Sequence, residues 1–119
     1  MKNTLLILLG CIFCASAAQA QIKVITASTD LKYICEQVGG SEVKAESLAA
    51  GDQDLHMVEP RPSMVFKLKK ADMVVRVGLD LDMWMDSLIN AARNKALFYG
   101  APGYVDASAG VPLLEKPEG

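Results

Sequence analysis

Short runs rich in valine and isoleucine alternate with segments of helical period along this chain, and that alternation restricts the fold more than any other feature. Ile22 to Ala27 reads as a strand. Leu31, Ile34, Cys35 and Val38 then fall at i, i+3, i+4 and i+7, which makes one face of a helix, with Thr29 or Asp30 as its cap and Gly39-Gly40 as its stop. Val43 to Leu48 is a second strand. Pro62-Ser63 opens a second helix, with Ser63 as cap and Met64, Val65 and Leu68 facing inward. Met73 to Val77 is a short apolar run of the kind found in buried parallel strands. After a loop from Gly78 to Asp82, the residues Trp84, Met85, Leu88, Ile89 and Ala92 form the apolar face of a third helix, and Tyr104 to Ala107 is a fourth strand. Strands that alternate with helices imply an α/β unit whose parallel sheet is flanked by helices on both faces.

Residues 1–20 read as a signal peptide rather than as part of that unit. Lys2 supplies a positive start, Leu5 to Phe13 an apolar run, and Ala18-Gln19-Ala20 a small-x-small cleavage site before Gln21. The apolar run is shorter than the ~20 residues a bilayer-spanning helix needs. The expected destination is the periplasm or the outside. Leu8-Leu9-Gly10-Cys11 also resembles a lipobox, so lipid anchoring through Cys11 is the less favoured alternative. Cleavage at Ala20-Gln21 would remove Cys11 and Cys14, leave Cys35 alone, and so preclude an internal disulfide. Without Lys2 the remainder holds 11 basic against 14 acidic residues, a balance that argues against a nucleic-acid partner. Residues 21–119 are long enough for one small lobe. Leu113-Leu114 followed by Pro117-Glu118-Gly119 reads as interior sequence, so the lobe is expected to be incomplete at its C-terminal end.

Parallel α/β sheets bind ligands outside the carboxyl ends of their strands. The connections after the second, third and fourth strands carry His56, then Asp80 and Asp82, then Ser108, and the topology gathers them on one rim. His56 is the sole histidine, and imidazole is the commonest side-chain ligand of transition metals. The bland alternative is a surface histidine that binds nothing. Pro60 and Pro62 stiffen its segment, and Asp54 and Glu59 are near enough in sequence to orient its second ring nitrogen, as carboxylates behind metal-bound histidines do. Asp80, Asp82 and Asp86 are read as solvated loop and helix-start acids that favour the helix dipole. Met57, Met64, Met73, Met83 and Met85 could suggest copper(I), but their irregular spacing favours packing. No nucleophile elbow, phosphate-binding glycine loop or Cys/His pair appears, so an enzyme is not expected.

The chain resembles the metal-binding solute-binding proteins of bacterial ABC importers for zinc and manganese. The resemblance runs from Val24-Ile25-Thr26-Ala27-Ser28-Thr29-Asp30-Leu31 through Val38-Gly39-Gly40, Leu68-Lys69-Lys70-Ala71-Asp72-Met73-Val74-Val75 and Gly78-Leu79-Asp80-Leu81-Asp82 to Gly103-Tyr104-Val105-Asp106-Ala107-Ser108. It is strongest at Gln53-Asp54-Leu55-His56-Met57-Val58-Glu59-Pro60-Arg61-Pro62-Ser63. It implies two α/β lobes joined by a long helix, with metal held between them. His56 matches the first ligand, the other ligands are expected beyond Gly119, and the present residues correspond to the N-terminal lobe. Leu55 stands where the family has proline, which frees φ beside the histidine.

The reading is a monomeric periplasmic metal-binding component that delivers a divalent metal, zinc ahead of manganese, to an ABC transporter permease. The alternative is an adhesion or surface-binding module without metal function.

Overall fold

The computed structural model describes residues 19–114; residues 1–18, with most of the expected signal peptide and Cys11 and Cys14, and residues 115–119 lie outside the described residues. Four strands, β1 (Ile22–Thr26), β2 (Val43–Ser47), β3 (Met73–Arg76) and β4 (Tyr104–Asp106), form one sheet in the order β2-β1-β3-β4. Every pairing is parallel, with Val24 opposite both Ala45 and Met73, and Val75 opposite Val105. The crossovers are α1 (Thr29–Gly39), α2 (Pro62–Lys69) and α3 (Trp84–Ala92). The expected α/β architecture is present, and each expected strand ends one residue earlier than its apolar run suggested.

Side-chain alternation divides the sheet between two layers. Ile25 and Val74 point into the main core, where Met64 and Leu68 of α2 and Met85, Leu88 and Ile89 of α3 meet them. Val24, Ala45 and Val75 point to the opposite face, where Leu31 and Cys35 of α1, with Val43 and Met73 of the sheet, pack against them. Leu68, Val74, Met85 and Leu97 have no more than trace exposure, and each such burial is worth about 1.5–3 kcal/mol against an exposed side chain.

Three local expectations are corrected. Ser28, not Thr29 or Asp30, caps α1: its Oγ accepts the Leu31 N–H at 3.3 Å while its own backbone is extended. The cap of α2 is not Ser63 but Arg61, with no side-chain bond. Pro62 explains this, because its fixed φ suits the first helical position and forces the preceding residue to be extended. The apolar face of α1 is also narrower than its period implied. Leu31 and Cys35 meet the sheet, whereas Ile34 and Val38 are 53% and 84% exposed. They form the next row round the helix, and neither belongs to a core cluster of the described residues.

Candidate functional site

The connection from β2 to α2 carries His56 to the carboxyl edge of the sheet, where the sequence placed it. The ladder runs on past β2, with the Leu48 and Ala49 amides donating to the carbonyls of Thr26 and Ala27 at 2.9 and 3.2 Å. Leu48 and Ala49 are therefore buried, and the chain leaves the sheet from a fixed point. A single 3₁₀ turn, Leu55–Met57, follows inside the connection. Leu55 and the following Val58 contribute to the main core, and His56 and Met57 between them face solvent.

Asp54 caps this turn. Its Oδ1 accepts the His56 backbone N–H at 2.9 Å and lies 3.3 Å from His56 Nδ1. The backbone N–H, followed by the imidazole, holds the Asp54 carboxyl below the usual carboxylate range. An ionised carboxylate only accepts, so in the tautomer whose Nδ1 donates to Asp54 the Nε2 lone pair is left free. The His56 side chain is 63% exposed, which makes that lone pair available to a ligand arriving from solvent. Glu59 is exposed and makes no hydrogen bond to the imidazole among the described residues, so of the two carboxylates near His56 in sequence the fold brings one to the ring.

The rim acids differ from expectation at one position. Asp80 is exposed, and Asp86 keeps a 57% exposed side chain. Asp82 was expected in solvent and is fully buried. Its carboxylate accepts the Val77 N–H at 2.7 Å and the Arg76 Nε and Nη2 at 3.3 and 3.2 Å. Arg76 also donates to Asp86 and, at 3.1 Å, to the Tyr104 hydroxyl. Charge pairing at the end of β3 thus draws Asp82 inward. The loop between them turns through three consecutive residues of positive φ: Gly78 at 83°, Leu79 at 52° and Asp80 at 63°. Ser108 donates its hydroxyl to Asp106 at 2.6 Å and is committed to that carboxylate. Of the methionines, Met64 and Met85 are core residues as expected, while Met57 and Met83 are 72% and 61% exposed.

Among the described residues no three His, Cys, Asp or Glu side chains gather as a metal set, and His56 lines none of three crevices found elsewhere on the surface. The donor chemistry at the rim is that of one imidazole backed by one carboxylate. It suits a single ligand contributed to a shared site and does not form a closed one. Two features escaped sequence reading, the Arg76–Asp82 pair and a hydrogen bond from the Trp84 indole N–H to the Leu55 carbonyl at 2.7 Å. The one available signal was an arginine at the end of an otherwise apolar strand. No helix among the described residues is long and apolar enough to cross a membrane.

Known proteins of similar sequence share this fold. The chain is 28% identical over 108 residues to the metal ABC transporter substrate-binding lipoprotein FimA of Streptococcus parasanguinis, covering 82% of this chain and 35% of that protein. It is 27% identical over 109 residues to the manganese ABC transporter substrate-binding lipoprotein PsaA of Streptococcus pneumoniae, with the same 82% and 35% coverage. It superposes on the Zn(II)-bound ZnuA-like domain of Streptococcus pneumoniae AdcA with a TM-score of 0.65 at 21% identity, covering 80% of this chain and 34% of that one. The chain thus spans about a third of the length of the relatives it matches. The model of the family described as ZnuA, zinc-uptake complex component A periplasmic, matches residues 24–119, and this chain belongs to that family.

Proposed function

We propose that this lobe supplies His56 as one ligand to a divalent metal carried by the solute-binding component of an ABC importer, which passes the metal to a membrane permease. The carrying observation is the turn at the sheet edge, where Asp54 lies 3.3 Å from Nδ1 of an imidazole whose side chain is 63% exposed. The metal is cargo. Nothing in this reading requires the chain to make or break a covalent bond, and the chain acts as a monomer without nucleic acid. The remaining ligands come from outside the described residues, in a second lobe. Zinc is favoured over manganese because a neutral imidazole suits zinc better than it suits a hard, oxygen-preferring ion. Family membership favours this reading over a surface-binding module without metal.

The lobe arrives by export. We place cleavage between Ala20 and Gln21, which leaves one residue, Gln21, before the described strand at Ile22. The names of the streptococcal relatives include the word lipoprotein, and this keeps an acylated start at Cys11 as the competing outcome. Intact-mass analysis of the exported chain separates the two.

Titration calorimetry tests the metal reading. A complete structural zinc site gains about 10–16 kcal/mol, and one imidazole provides a small share of that. The 119-residue chain is expected to bind zinc weakly, and a chain extended through a second lobe to bind it tightly and lose most of that affinity with His56→Ala. Unchanged affinity in the extended His56→Ala chain would remove His56 from the site.

A further inference from the structure

We propose that Trp84 is a positioning residue for His56, holding the histidine turn through the Leu55 carbonyl against an anchor built into the end of β3. Its purpose rests on the metal-ligand reading of His56, but its existence rests on geometry alone.

The turn Leu55–Met57 is a single 3₁₀ turn, and an element that short fixes itself poorly. Asp54 fastens its leading side through the His56 N–H, and the Met57 N–H donates to the Asp54 carbonyl at 3.0 Å. The Leu55 carbonyl takes the indole N–H of Trp84 at 2.7 Å, across 29 residues of sequence. Indole is a donor without acceptor capacity. Its half-buried ring packs against the main core, and this bond is the partner that its burial requires. Leu55 leaves its own φ unrestricted, and the indole bond adds a restraint on the residue before His56 from outside the turn.

The position of the indole is set in turn by the sheet. Trp84 is the first residue of α3, and the Asp82 carbonyl accepts the Met85 N–H at 3.0 Å, fastening that first turn. The Asp82 carboxylate is bonded to the Val77 N–H and to Arg76 at the end of β3. A continuous set of bonded groups therefore runs from β3 through Asp82 to Trp84, Leu55 and the backbone of His56. Burial of the ring by itself would need only an aromatic side chain. The N–H is the part that reaches the histidine turn.

The test removes the N–H and keeps the ring. His56 is the sole histidine, so one imidazole signal and one backbone amide report it in metal-free protein. Trp84→Phe, and replacement of Trp84 by its benzothienyl analogue, which keeps the shape of indole but carries sulfur in place of N–H, are expected to shift the His56 ring resonances. Both should speed amide exchange at His56 and Met57 by about threefold to tenfold, the effect of losing one net hydrogen bond. Val24→Ala, a change in the separate cluster on the opposite face of the sheet, should lower stability without moving the His56 signals. If the benzothienyl protein folds and its His56 ring and amide signals match the parent, Trp84 is a packing residue and the proposal is wrong. These readouts contain no metal. A failure of His56→Ala to alter zinc binding would overturn the proposed function and leave this result standing.

Discussion

Arg76 and Asp82 form an ion pair at 3.2 Å in which the two side chains are 10% and 0% exposed. Breaking one half of such a pair leaves an uncompensated charge, at a cost of about 3–5 kcal/mol. Asp82→Ala is expected to fall in that range, because Asp86 and Tyr104 compensate Arg76 only in part and the Val77 N–H loses its acceptor too. Against a total stability of about 5–15 kcal/mol for a domain, the loss brings the lobe close to unfolding. Urea denaturation of parent and variant measures it, and a change below ~1 kcal/mol, the usual size for surface positions, would mean that Asp82 is solvated after all.

Gly78 is the first residue of the left-handed stretch, at φ 83°. A Cβ there would collide with the Asp106 carboxylate and the Ser108 hydroxyl. Gly78→Ala therefore combines a strained backbone with a steric conflict between two strand ends, and about 1–3 kcal/mol of destabilisation is expected. Thermal unfolding should register it, and a neutral result would show that the loop has another conformation within reach.

The Asp106 carboxyl is held below the usual carboxylate range, first by the Ser108 hydroxyl and then by the Ser108 backbone N–H. A depressed folded-state value contributes stability that is present above the unfolded value, near pH ~4, and is lost as pH falls through the folded value. Ser108→Ala should therefore lower the melting temperature at pH 6, and the gap between parent and variant should narrow as pH falls below ~4 towards the folded-state value. A gap that stayed constant over that range would assign the effect of Ser108 to something other than Asp106.

On α1, Val38→Lys is expected to change stability by no more than about 0.5 kcal/mol, because Val38 is 84% exposed. Leu68→Ala, at a position with 0% exposure, is expected to cost about 2–5 kcal/mol. The contrast is the opposite of what the helical period of α1 suggests, and chemical denaturation of the two variants decides it. A large loss from Val38→Lys would restore that residue to a core.

Periodicity located all four strands and three helices, because burial on one or both faces imposes it on the sequence directly. The carboxyl-edge position of His56 was equally legible, since a strand-to-helix connection in a parallel sheet has only one edge to occupy. What periodicity could not supply was partner identity. Ile34 and Val38 share the apolar period of Leu31 and Cys35, yet whether a neighbouring layer reaches them depends on sheet width. Asp82 has the sequence context of a solvated acid like Asp80, and only the return of Arg76 from the adjacent strand end takes it inward. The bond from Trp84 to Leu55 joins positions whose nearness depends on the packing of α3 against the histidine turn, which no local pattern records.

The central place of β1 in the sheet has a consequence for the order in which this fold can come into being. β1 precedes every other strand in the chain, yet both of its neighbours are made later, β2 from Val43 and β3 from Met73. Parallel pairing offers it no hairpin partner, and such long-range closure is slow. A chain delivered N-terminus first through a narrow channel would therefore emerge with its first strand unpaired on one side until Arg76 had passed.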